Sequence, residues 1–242
     1  MKLKKNWSFR FFATLAAAML VFANVAQAGP PLICHAFEIG NAKSLPLAGH
    51  GWNLSGSENY DIKNLAADTL EILQPDTPVV VRMETLRRAT LYARQDPLTA
   101  KELLAKLYAR ANAAENTGHP DALAWFDAGY LVETYKQWIG QNLPHMTDGM
   151  RLDANPAAGV DGYAWVKNAI ALRAGALHGD DAQMEFAAAL ITLSGPREEH
   201  AQHAQKAIAG AKSDALLAQN LATHFIGPKD QTVSEILAKN ST

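Results

Sequence analysis

Cysteine is almost missing from this chain: Cys34 is the only one in 242 residues, which excludes an intrachain disulfide. In an exported protein a lone cysteine leaves an intermolecular bond, a free thiol or a ligand role. A basic surplus is also missing, since 22 Lys and Arg face 24 Asp and Glu. Non-specific binding to nucleic acid or anionic lipid needs a basic face, so both are disfavoured. No apolar run reaches the roughly 20 residues of a membrane-spanning helix. Alternating β-branched runs are absent, and the only strand-like triplet is Val79-Val80-Val81. The zinc-peptidase pattern H-E-x-x-H does not occur, and no nucleophile, base and oxyanion set stands out.

What the chain does contain begins with an export signal over residues 1–28. Lys2, Lys4, Lys5 and Arg10 form its basic part, Phe11 to Val25 its apolar part, and Ala26-Gln27-Ala28 a small-x-small cleavage site. A lipid-anchor signal is not expected, because Ile33 precedes Cys34 where a small residue would stand. Cleavage near Ala28 removes four basic residues and no acidic one, leaving 18 Lys and Arg against 24 Asp and Glu, a formal charge of −6. The expected location is periplasmic or secreted, with no stable membrane insertion after cleavage.

Residues 29–57 read as an extended, loop-rich arm. Pro30 and Pro31 cannot sit inside a helix or start a sheet ladder. Ile33, Phe37, Ile39, Leu45 and Trp52 are its apolar anchors. This opening, with Cys34-His35 and Ser44-Leu45-Pro46, resembles that of exported bacterial proteins that carry a similar Cys-His and Ser-Leu-Pro after the signal. The resemblance implies a compartment and no activity.

From residue 58 to 242 the apolar spacing is helical, and the segment reads as one domain with a lobe boundary at 144–158. Steps of three and four put Ile62, Leu65, Leu70 and Leu73 on one face, then Val79, Met83, Leu86 and Thr90 on the next. Thr99-Ala100-Lys101-Glu102 reads as a capping box that opens a helix carrying Leu103, Leu107, Ala111 and Ala114. Residues 121–142 read as a long helix with Ala124, Ala128, Leu131, Tyr135 and Trp138 on one side. The central stretch from Tyr163 to Phe225 breaks at Gly179-Asp180-Asp181, Ser194-Gly195-Pro196 and Lys212-Ser213-Asp214. Its stripes are Tyr163, Val166, Ile170 and Leu177; Phe186, Leu190 and Leu193; Ala201, Ala204, Ala207, Ile208 and Ala211; and Leu217, Leu221 and Phe225. Alanine stripes let neighbouring helices approach closely. Thr232-Val233-Ser234-Glu235 is a second capping box, opening a short terminal helix.

Asp181-Ala182 and Asp214-Ala215 each open a helix at a separation close to the roughly 34-residue tetratricopeptide period. Asn168-Ala169-Ile170-Ala171 is echoed by Lys206-Ala207-Ile208-Ala209. Over residues 160–226 the chain therefore resembles a degenerate tetratricopeptide-type array. It departs from the strict pattern in lacking a turn proline after Ile208 and in variable spacing, which points to the broader helical-hairpin repeat class. The resulting expectation is all-α: antiparallel helical hairpins stacked as a short TPR-like α-solenoid, with an extended N-terminal arm.

Two functional readings follow. The first is a non-catalytic exported interaction module, without cofactor, that binds a protein or peptide on its helical-repeat surface. Trp125, Tyr130, Tyr163 and Trp165 flank the 144–158 break and are its candidate binding residues, as groove anchors or else as core. The second is a transition-metal- or haem-binding protein, or a metal-dependent enzyme. It would use Cys34 and His35 together with His200 and His203, which share a helix face. Adjacent residues in an extended arm point to opposite sides, so Cys34 and His35 cannot form a thiol–base pair. For Arg87, Arg88 and Arg94 the expectation is a solvated face.

Overall fold

The computed structural model describes residues 32–48, 56–138, 155–176 and 181–224, and the described part is helical, with no strand. The signal, the second capping box, Leu177, Phe225 and most of the 144–158 break lie outside it. A short 3-10 turn, Ile62–Asn64, leads into α1 (Leu65–Ile72). Then come α2 (Val79–Ala93), α3 (Pro97–Asn116), α4 (Ala122–Lys136), α5 (Gly162–Gly175), α6 (Ala182–Ile191), α7 (Arg197–Gly210) and α8 (Ala215–His224).

Aspartate starts most of these helices. Asp96, Asp121, Asp161 and Asp181 each accept a backbone N–H of the first turn. Asp214 does the same for Leu217 at α8. A side-chain oxygen in that position satisfies donors that the helix itself leaves unpaired, worth roughly 1 kcal/mol at each end. The start of α3 corrects the sequence expectation. Asp96 is the cap and Pro97 the first helical residue, so Thr99 lies a turn inside and donates its hydroxyl to Asp96. Proline at the first position is favourable because its missing N–H is one that no helix bond needs there. The expected helix over 121–142 is α4 over 122–136, with Trp138 buried in the turn that follows.

The core centres on α2, α4 and α6. Every residue of α4 from Leu123 to Val132 is buried, and so is every residue of α2 except Arg88. A helix buried all round belongs inside a layer of other helices; α1, α3, α5 and α6 supply that layer. Val79, Met83, Leu86 and Thr90 are all buried as the spacing predicts. On α6 and α7, Phe186, Leu190, Ala204, Ala207 and Ile208 point inward, whereas Leu193 and Ala201 are exposed. Leu193 lies beyond the last turn of α6 and Ala201 near the start of α7, so neither reaches the neighbouring helix.

Close approach of α4 and α5 depends on two glycines. A Cβ at Gly162 would lie 2.5 Å from the Gly129 carbonyl oxygen and 2.6 Å from the Val132 Cβ; one at Gly129 would lie 2.6 Å from the Gly162 carbonyl. Backbone cannot yield as a flexible side chain can. Gly162→Ala is expected to cost roughly 1–3 kcal/mol in urea denaturation. Gly175→Ala, at the end of the same helix with open space around it, is expected to be neutral or slightly stabilising.

Residues 32–48 carry no regular structure, yet Leu32, Ile33, Cys34, Phe37 and Leu45 are buried against the helices. Each such side chain removed from water contributes about 1.5–3 kcal/mol. The backbone of this segment is held by side chains of α2 and α8. Glu84 accepts from Phe37 N at 3.0 Å, Arg87 donates to Ile33 O, and Arg88 donates to Leu45 O at 2.7 Å. Asn220 both accepts from Glu38 N and donates to Glu38 O, each at 2.9 Å. Arg87 is fully buried and Arg88 largely so, and Arg94 lies 5.7 Å over the Trp138 ring. The solvated face expected for these arginines is therefore corrected. Arg87 and Arg88 grip the chain's own preceding segment because Glu84 neutralises them inside the core, whereas Arg94 packs on Trp138.

Candidate functional site

Two of the four aromatic candidates come together, and they do so around a residue the sequence did not single out. Tyr108 on α3 stacks on Trp165 of α5, with centroids 5.0 Å apart and planes 21° from parallel. Trp125 of α4 meets both edge-on, at 5.7 Å from Trp165 and 6.0 Å from Tyr108. Tyr108 is 39% exposed, Trp165 partly buried and Trp125 mostly buried, so the trio is an aromatic platform that surfaces through Tyr108. Glu115, an exposed residue in the last turn of α3, accepts from the Trp125 indole N–H at 2.9 Å. The helical spacing of Tyr108 with Leu104 and Ala111 hid it, because it shares the helix with a buried stripe while facing outward.

Tyr130 is elsewhere. It is fully buried and stacks on Phe126 at 5.5 Å, and burial holds its hydroxyl well above the usual range. It presents no surface to a partner. Tyr163 enters a clasp between three helices. Its hydroxyl lies 2.8 Å from Glu199 and 2.7 Å from His203 Nε2, while His203 Nδ1 meets the buried Glu185 at 2.5 Å. Lys206 donates to the other Glu185 oxygen at 2.8 Å. Burial works to raise the Glu185 carboxyl, but the bonds from His203 and Lys206 outweigh it and hold the carboxyl below its ordinary value. A carboxylate, an imidazole and a hydroxyl in line have the makings of a nucleophile relay. Burial and then Glu199 push the Tyr163 hydroxyl well above its ordinary value, and it donates to the Glu199 carboxylate. The arrangement ties α5, α6 and α7 together.

The candidate metal ligands are not assembled. Cys34 is buried, and burial raises its thiol, which reduces the thiolate that would ligate or attack. His35 packs edge-on against His224, with ring centroids 4.8 Å apart. His200 turns to the Ala189 carbonyl at 2.9 Å and His203 to Glu185. Among the described residues, no three His, Cys, Asp or Glu side chains are placed to hold a metal ion.

His224, the last residue of α8, is buried and stacks on Phe37 at 4.3 Å. Burial, and then His35, lower its pKa from 6.5 to about 4. A histidine kept neutral in the fold takes up its proton only in the unfolded chain over that interval. Its contribution to stability is therefore complete above pH 6.5 and is lost as the pH falls toward 4. The expected loss is roughly 3 kcal/mol at about 1.4 kcal/mol per unit. In urea titrations between pH 6.5 and 4, His224→Phe is expected to remove this part of the slope, and an unchanged slope would refute the assignment.

A separate, concave feature lies among helix N-termini. The N-terminal ends of α2, α4, α6 and α8 meet around a cleft of about 360 Å³ whose lining includes Asp76, Leu123, Arg173, Asp181 and Asp214. Gln183 spans its floor, accepting from Val80 N at 2.8 Å and donating to Asp214 at 2.6 Å. Arg173 donates to Asp181 at 3.2 Å. Asp181 and Asp214 also cap α6 and α8, so much of their hydrogen-bonding capacity serves the helices. Leu123 lines the cleft and Trp125 the platform; two positions apart on α4, they point to different sides of the helix, so the two features are separate. Comparison of the chain with protein-family models, curated proteins and solved structures found no match, so the reading of this site rests on its geometry.

Proposed function

We propose that this protein is a non-catalytic, exported interaction module that binds a protein or peptide on the surface of a helical-hairpin array. In this reading residues 29–57 are an arm that seals one side of the body, the hairpins α4–α5 and α6–α7 are its repeat units, and the partner meets the Tyr108–Trp165–Trp125 platform. The observation that carries the proposal is that platform: a stacked Tyr–Trp pair backed by a second Trp and reaching solvent at Tyr108. Tyrosine and tryptophan in such positions are favoured anchors of interfaces, and truncating an anchor costs 2 kcal/mol or more, about 30-fold in affinity.

Selection of a displayed random-peptide library on the purified protein tests the reading. Peptides are expected to be recovered whose binding falls at least tenfold in Tyr108→Ala and Trp165→Ser, with urea stability of Tyr108→Ala within about 1 kcal/mol of the parent. Recovered peptides indifferent to both substitutions would refute the platform as the binding surface.

A further inference from the structure

Resting on the proposed platform, we infer that the partner segment is basic and lays an arginine or lysine side chain on Tyr108 and Trp165 beside the Glu115 carboxylate. Glu115 is exposed and accepts one bond from the Trp125 indole, and among the described residues it enters no ion pair. The basic residues nearest in sequence are engaged elsewhere. Arg110 turns inward to Asp127 and the Leu73 carbonyl, and Lys106 pairs with Glu102. The platform therefore offers aromatic faces and an uncompensated negative charge. A cation over a tyrosine or tryptophan face is attracted by the ring quadrupole, most strongly when it is partly desolvated. Arginine suits the site best, because its planar guanidinium stacks on a ring while its edge donates to a carboxylate.

The cleft at the helix N-termini carries the same sign. Asp76 is exposed there, and Asp181 and Asp214 add two further carboxylates against the single cation Arg173. Acidic partners are repelled by the same charges, which gives the surface a sign preference as well as an anchor.

The peptides recovered from the library, synthesised with a fluorophore and titrated by anisotropy, test the inference. Basic residues are expected to be enriched, and replacing the key arginine by citrulline should weaken binding at least fivefold. Glu115→Gln keeps an acceptor for the Trp125 indole and removes only the charge. It is expected to weaken binding three- to tenfold, with the difference shrinking as salt rises from 50 to 500 mM. Recovered peptides that need Tyr108 but lack basic residues, or that ignore Glu115→Gln, would overturn this inference and leave the interaction module standing. Recovery of no peptide at all would overturn both.

Discussion

Replacing Glu84 by alanine is expected to lower the stability of this protein by about 3–5 kcal/mol, the usual consequence of removing one partner from a buried ion pair. Glu84 is fully buried, and its two oxygens take Arg87 at 2.7 and 2.9 Å, Arg88 at 2.6 Å and the Phe37 amide at 3.0 Å. Without it, the fully buried Arg87 guanidinium keeps only the Ile33 carbonyl among these partners. The Phe37 amide loses its acceptor as well. A typical domain has about 5–15 kcal/mol in total, so this change alone approaches unfolding. The cost falls on the attachment of residues 32–48 first, and hydrogen exchange at Phe37 is expected to accelerate before exchange in α4. Glu84→Leu combined with Arg87→Met should recover much of the loss, because an apolar pair of similar size carries no uncompensated charge. Urea denaturation of the two variants checks the order. A loss under 1 kcal/mol for Glu84→Ala would mean that the cluster does not hold this segment.

Asp127→Ala is expected to cost a similar 3–5 kcal/mol by the same mechanism at a different place. Asp127 sits within α4, fully buried, and receives Arg82 from α2 at 2.6 Å and Arg110 from α3 on the same oxygen. Burial pushes its carboxyl up to about 6 against the pull of both guanidiniums, which still leaves it ionised at neutral pH. Arg82 goes on to donate to the carbonyls of Gln74 and Thr77, and Arg110 donates to that of Leu73. Asp127 thus fixes, through two arginines, the turn between α1 and α2 whose residues Pro75 to Pro78 form one wall of the acidic cleft. The structural loss is expected to centre on this turn. In hydrogen exchange the Thr77 amide, which donates to the Gln74 carbonyl, should accelerate before the amides of α6 do. Equal acceleration in both would show that the turn does not act locally.

Both clusters explain why α2 was hard to read. Its Val79, Met83, Leu86 and Thr90 stripe is plain in the sequence, but Arg82, Glu84, Arg87 and Arg88 on the other sides imply solvent. Their burial depends on partners 45 residues away at Asp127, 54 at Ile33 and 43 at Leu45, which no local pattern encodes. The same distance problem concealed the platform: Tyr108, Trp125 and Trp165 come from three helices, and only Trp125 and Trp165 stood out because of their size. Tyr130 was chosen on the same grounds, and its all-round burial removes it from any surface. At the start of α3 two local signals competed. Asp96-Pro97 prevailed over the Thr99–Glu102 box because the Asp96 oxygens meet the free amides with proline already set for the helix.

By itself the sequence determined the helical class, the stripes on α2, α6 and α7, and the helix starts at Asp181 and Asp214. All of these depend on spacings within one or two turns. Only the tertiary structure decided which charges lie inside, which aromatic reaches solvent and how close α4 comes to α5. Those outcomes depend on desolvation and contact between residues far apart in the chain, and a buried charge is tolerated only where folding delivers its partner.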